Sequence, residues 1–164
     1  MQYLHAHWRM EYIQVPRRDR GAPFRVALDG DPRENLLLWR SGHSFVLMNR
    51  YPYNGGHLLV LPLREVADLT DLDGGEGADL WRTIVLSERV LREVLNPDGF
   101  NIGFNVGSAA GAGLPGHLHC HLVPRWNGDT NLMPAVGAVR VLPQALESLY
   151  DKLLPAFQRA AGSK

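Results

Sequence analysis

The chain of 164 residues has one cysteine, Cys120, which excludes an internal disulfide and any Cys-x-x-Cys metal site. It has no surplus of charge of either sign. Lys plus Arg and Asp plus Glu each total 17, so no field of one sign draws the protein to nucleic acid or to an anionic membrane. Any anionic ligand has to be held locally. No stretch approaches the ~18 consecutive apolar residues of a membrane span. The opening residues, MQYLHAHWRMEY, lack the apolar segment and cleavage signal of an export leader. A cytoplasmic location, with neither nucleic acid nor membrane as partner, is therefore expected. At 45% hydrophobic, the composition suffices for one compact core.

Residues 1–34 mix aromatics, Arg and Pro without a period, and VPRRDRGAPFR reads as an irregular surface connection, so an N-terminal arm is expected there. A core over 35–142 and a C-terminal helix and tail over 143–164 follow. Within the core, LLLWR (36–40), SFVLMN (44–49) and HLLVLP (57–62) are short apolar runs parted by the turn signals SGH and RYPYNGG, the pattern of an antiparallel meander. From Gly77 to Leu95, Leu80, Trp81, Ile84, Val85, Val90, Leu91, Val94 and Leu95 recur near a period of 3.6. That predicts a helix whose apolar stripe, Trp81 and Val94 included, is packing. Asn96-Pro97-Asp98-Gly99 stops it. FNIGFNV (100–106) reads as a strand, Gly107 to Gly116 as a loop, and HLHCHLVP as a strand from His117. A further strand is expected near Ala138 to Leu142. An amphipathic helix should run from Pro143 to about Arg159, with Leu146, Leu149, Leu153 and Phe157 inward. Strands, then a helix, then strands again predict an α+β domain, a mostly antiparallel sheet with helices on one face.

Three of the seven histidines, His117, His119 and His121, alternate in GHLHCHLVPRW. In an extended chain they share one face, while Leu118, Cys120 and Leu122 share the other, which makes Cys120 a core residue and not a nucleophile. Neutral imidazole is a nucleophile near pH 7, and phosphorus is a suitable target through an N-phosphoryl or N-nucleotidyl intermediate. Flanking imidazoles can then donate to phosphate oxygens. The rival chemistry is a metal site, because three imidazoles and a water form a catalytic zinc arrangement. A structural cluster would need a hydrogen-bond partner for every ring. The preceding loop, with Gly107, Gly111, Gly113 and Gly116, lets backbone N–H groups approach an anion closely, which suits phosphate better than a cation. His43 falls in a turn and reads as solvent-exposed, and His5 and His7 as a surface pair. Tyr51, Tyr53 and Trp126 either stack on a base or cover the edge of the core.

On the histidine run, the glycine loop and NRYPYNGGHLLVLP, the chain resembles the histidine triad (HIT) family of nucleotide hydrolases and transferases, from about Trp8 to Met133. AGAGLPGHLHCHLVPRW and NGDTNLMP look most like the branch that includes bacterial diadenosine tetraphosphate phosphorylases and related hydrolases. The resemblance implies a dinucleoside polyphosphate substrate, a nucleotidyl-histidine intermediate and a homodimer. It makes His119 the nucleophile and His121 a phosphate contact. His117 would brace the site, and His57 would lie beside the α-phosphate. It places Asn49 near the ribose and Asn105 with Gly107 along the phosphate path. Gly113 stands where hydrolases of the fragile-histidine-triad branch carry Gln, which leans toward phosphorolysis and leaves water or phosphate open as acceptor. Many relatives hold a structural zinc at positions that correspond here to Ala22, Arg25, Glu65 and His117. No metal and no essential cofactor is therefore expected beyond Mg²⁺ accompanying the substrate, and Arg25 and Glu65 are expected to pair in place of the zinc. A metal-dependent hydrolase on His117, His119 and His121, and a nucleotide-binding module without turnover, are the other two classes the residues allow.

Overall fold

The computed structural model describes residues 23–129 and 145–162. Its elements are α1 (Pro23–Asp29), β1 (Leu37–Arg40), β2 (Ser44–Met48), β3 (Leu58–Pro62), α2 (Gly74–Leu95), β4 (Gly99–Phe104), β5 (Cys120–Arg125) and α3 (Leu146–Gly162). The five strands form one sheet in the order β1-β2-β3-β5-β4, antiparallel at every pairing. β5 inserts between β3 and β4, which sets Leu59 opposite His121 and Gly103 on the far side of His121.

Every residue of β2 and β3 is buried, because both faces of the central strands are covered. On one face Val46, Met48, Leu58, Val60, Cys120 and Leu122 pack against Leu80, Ile84 and Leu91 of α2 and Leu149, Leu153 and Phe157 of α3. On the other, Phe45, Leu47, Leu59 and Leu61 pack with Ala27, Phe24 and Leu28 of α1. Strand pleating assigns the two sets: even positions of β2, β3 and β5 meet the long helices, odd positions of β2 and β3 meet α1, and odd positions of β5 share that second face.

α2 begins at Gly74, where Asp73 caps it and a reciprocal capping box joins the Asp73 side chain to the Glu76 N–H and the Glu76 side chain to the Asp73 N–H. Arg64 grips the same carboxylate through two nitrogens, at 2.8 and 2.6 Å, and Glu76 is held down to about 2 by that pair and by the Asp73 N–H. The helix ends at Leu95 on a left-handed Asn96, as the turn signal predicts.

Four expectations are corrected. The expected irregular connection ending in APFR contains α1, because Pro23 is a helix-starting residue at a first-turn position and Phe24, Ala27 and Leu28 make one apolar turn. Trp81 is not packing: it is 65% exposed, since Leu80, Ile84, Val90 and Leu91 set the buried face of α2 and Trp81 falls to one side of it. Strand β4 runs Gly99–Phe104 and not 100–106. The strand after the glycine loop begins at Cys120, not His117, because Leu118 N–H leaves the sheet ladder for the Val66 carbonyl at 2.6 Å. The strand expected at 138–142 and the pair His5 and His7 lie outside the described residues. His43 is exposed in its turn, as its sequence context predicts.

Candidate active site

The histidines lie on the odd face of β3 and β5, with His117 and His119 against Phe24 of α1. His57 is 1% exposed at the start of β3, His117 and His119 are 7% exposed in the extended segment before β5, and His121 is the first outward residue of β5. The rings follow one another without forming a single row. His57 and His121 centroids are 5.2 Å apart and those of His121 and His119 5.0 Å, while Phe24 touches both His119 (5.5 Å) and His117 (5.6 Å).

Their hydrogen bonds assign the tautomers. His119 Nδ1 lies 2.7 Å from the His117 carbonyl oxygen, which only accepts, so Nδ1 carries the proton and Nε2 keeps its lone pair. His117 Nε2 is 2.8 Å from the Pro62 carbonyl and donates to it by the same argument. The Tyr53 N–H donates to His57 Nδ1 at 3.1 Å, so His57 is protonated on Nε2. That proton points at His121 Nδ1, 3.0 Å away, and His121 in turn holds its own on Nε2. The site therefore offers one imidazole with an unprotonated Nε2, His119, beside one with an N–H at Nε2, His121.

Burial pushes both His117 and His119 below the ordinary imidazole value, against the bonds to Pro62 and His117 carbonyls, which favour the charged forms. Burial therefore favours the neutral form of His119 at pH 7, with the lone pair on Nε2. Cys120 is fully buried on the opposite face, and burial pushes its thiol up to about 12.

A cleft of about 490 Å³ opens along β4 and β5, lined among others by Tyr53, Asn101, Gly103, Asn105, His121 and Arg125. Its size fits a nucleotide. Of the residues singled out in the sequence, His121, Asn105 and Tyr53 line it, with His57 and His119 one ring behind His121. Asn49 faces His57, its Nδ2 3.3 Å from Nδ1. Gly107 has φ +77° and opens the short 3-10 turn Ser108–Ala110, where its carbonyl accepts from Ala112. Gly113 lies between that turn and His117, half-buried. Glu65 is exposed and its charge reaches His117. The Arg25 side chain and Ala22 lie outside the described residues, and with them the expected Arg25–Glu65 pair.

One residue was missed in the sequence, and another has a contact the sequence did not suggest. Phe24 packs on both buried triad rings, and its signal was the Phe24, Ala27, Leu28 spacing, masked by a neighbouring Pro and charges. Tyr53, read in the sequence as stacking on a base or covering the edge of the core, lines the cleft and lays its ring on His57, 4.7 Å between centroids.

The resemblance raises a structural zinc, which would need three or four convergent donors. One nitrogen each of His117 and His119 is directed at a carbonyl and His57 Nε2 at another ring, and among the described residues no group of three or more His, Cys, Asp or Glu side chains converges as metal ligands would. The described residues do not fit such a centre, and no step below is routed through one.

An antiparallel sheet carrying a neutral, carbonyl-anchored imidazole beside a donor imidazole and a nucleotide-sized cleft defines the class of histidine-based nucleotide-binding proteins. A family model, HIT domain, matches residues 33–128, and the chain belongs to the HIT family. It is 39% identical over 167 aligned residues to an AP-4-A phosphorylase of Mycobacterium tuberculosis, covering 97% of this chain and 86% of that protein. It is 34% identical over 91 residues to a bis(5'-adenosyl)-triphosphatase of Saccharomyces cerevisiae, covering 55% of this chain and 44% of that one. Among solved structures, a Zn-bound histidine triad family protein from Mycobacterium smegmatis superposes with a TM-score of 0.67 at 24% identity, over 91% of this chain and all of the other, a likeness of fold.

Proposed function

We propose that the protein transfers a nucleoside monophosphoryl group from a dinucleoside polyphosphate through His119. It is a HIT-family enzyme of the kind that cleaves such substrates, as its phosphorylase and triphosphatase relatives are named to do. The observation that carries the mechanism is the 2.7 Å bond from His119 Nδ1 to the His117 carbonyl. It fixes the lone pair on Nε2 and stabilises the positive charge that grows on the ring as it attacks.

In the first step Nε2 forms a bond to the α-phosphorus, and the bond from phosphorus to the bridging oxygen breaks, releasing a nucleoside polyphosphate. His121 Nε2–H donates to a non-bridging oxygen, whose charge grows in the transition state. In the second step the acceptor oxygen attacks phosphorus and the P–N bond breaks, returning neutral His119. Inorganic phosphate is the acceptor we favour, supported by Gly113, which has no side-chain amide to offer a bridging oxygen, and by the phosphorylase named among the relatives. Diadenosine tetraphosphate incubated with inorganic phosphate should give ADP and ATP. AMP and ATP as the products at saturating phosphate would make water the acceptor. Denaturing the enzyme during turnover of radiolabelled substrate should leave label on the chain, and none would be found if His119 only binds.

The proposal extends to a homodimer without an essential metal, in the cytoplasm. Support for the dimer is that, among the described residues, β4 is a sheet edge with Asn101, Ile102 and Gly103 exposed, a template for pairing with a second copy. Sedimentation equilibrium should return twice the chain mass. Activity after exhaustive chelation should return in full with Mg²⁺ alone, and a requirement for zinc would favour the metal-dependent reading.

A further inference from the structure

Tyr53 makes three contacts with the histidine pair. Its backbone N–H donates to His57 Nδ1 at 3.1 Å. Its ring lies on His57 with centroids 4.7 Å and planes 30° apart, and comes within 5.6 Å of His121. It also lines the cleft beside His121.

Asn49 presents a second donor to the same nitrogen. Its Oδ1 accepts from the Tyr51 N–H at 2.9 Å, which turns Nδ2 toward His57 Nδ1 at 3.3 Å. Two N–H groups facing Nδ1 leave it only a lone pair, so the His57 proton sits on Nε2, and the 3.0 Å contact passes the same choice on to His121. Reversed, the chain of bonds would put protons on Nδ1 of both rings and turn a lone pair of His121 toward an anion. A donor and a lone pair facing a phosphate oxygen differ in sign, not degree.

We infer that Tyr53 is a positioning residue: its backbone N–H and stacked ring hold His57 and His121 in the tautomer that offers an N–H, not a lone pair, to a phosphate oxygen of the substrate. The inference rests on the nucleotidyl-transfer reading for the identity of the phosphate, but not for the tautomers. The ring acts together with the amide. A stacked face 4.7 Å from His57 opposes rotation of the imidazole about its own axis, which would exchange Nδ1 for a carbon and break the bond to the amide.

The test replaces Tyr53 by its α-hydroxy acid analogue, which turns the one N–H into an ester oxygen and keeps the ring, and compares it with Tyr53→Ala and Tyr53→Phe. Long-range 1H–15N correlation of the ligand-free protein reads the tautomers of His57 and His121, and diadenosine tetraphosphate turnover reads kcat and KM. In the unmodified protein both rings should be protonated on Nε2. The ester should bring up the Nδ1-protonated form of His57 and lower kcat at least ~10-fold, with a smaller change in KM. Tyr53→Ala should lower kcat as well, and Tyr53→Phe should recover most of that loss. Protonation on Nδ1 of His57 in the unmodified protein would overturn the inference even if no variant folded. So would an ester variant with unaltered tautomers, whatever its activity, since a merely structural role predicts that result. Tautomers that respond as stated in a protein inert toward dinucleoside polyphosphates would sink the transfer reading and leave this one intact.

Discussion

His119→Asn removes the only ring nitrogen assigned to attack while keeping a polar group of similar reach toward the His117 carbonyl. Turnover of diadenosine tetraphosphate should fall by at least ~10³-fold with AMP affinity and melting temperature nearly unchanged, because no neighbouring group replaces the nucleophile. Calorimetric titration beside a product assay checks both halves, and a variant retaining a tenth of the rate would exclude the mechanism. The pH dependence follows from burial. With the folded pKa of His119 below the ordinary 6.5, kcat/KM should stay flat down through pH 6.5 and decline only below it, as the nucleophile is protonated. The same burial acts on stability. Between 6.5 and the lower folded values the unfolded chain binds protons at positions 117 and 119 that the folded chain does not, so stability is lost as pH falls through that window. Melting temperatures from pH 7 to 5 should drop less steeply in His117→Asn than in the parent protein. Equal slopes would contradict the assignment.

Among the elements, the turn that delivers His57 to β3 depends on Gly56. Its φ is +79°, and a Cβ there would come within 2.5 Å of Leu95 Cδ1 and 3.2 Å of Pro124 Cγ. Gly56→Ala should therefore cost about 2 kcal/mol or more, read from urea unfolding midpoints, with activity reduced through displacement of His57. The α2 cap has its own pH signature. Glu76 is held down to about 2 from an ordinary 4.5, so its contribution is complete above about pH 4.5 and is lost as pH falls toward 2. Unfolding midpoints followed from pH 5 to 2.5 should fall more in the parent than in Glu76→Gln. The elements also show what could be read in advance. The 3.6 period of α2, its stop at Asn96, and the apolar runs of β2 and β3 were plain because each is a local pattern. α1 was not, since seven residues that begin with a proline carry too little period to be told from a turn. Nor was the entry to β5, where alternation suited a strand from His117 but the Leu118 N–H bonds to Val66, outside the sheet.

For the molecule as a whole, α3 closes the face of the sheet remote from the histidines. Leu149, Leu153 and Phe157 enter the same core as α2 and the even residues of β3 and β5. Leu153, fully buried, leaves a cavity when cut to Ala, and Leu153→Ala should lower unfolding free energy by about 2–5 kcal/mol without changing KM. Equilibrium unfolding and steady-state kinetics on one preparation check this, and a large rise in KM would mean that the two faces are coupled.

The order of residues by itself determined the fold class and the set of reactive groups: alternating imidazoles, a loop without side-chain bulk, and a cysteine in a core slot. Those follow from periods of two and 3.6 and from composition, which are properties of neighbours along the chain. Which nitrogen of each imidazole holds a proton was decided only by the tertiary structure. For two of the rings the deciding group is distant in the chain: Pro62 is 55 residues from His117 and His57 is 64 from His121, while His119 and His57 are set by groups 2 and 4 residues away that the local turns aim at them. A proton's position depends on what the far side of the ring meets, and only folding brings that partner there.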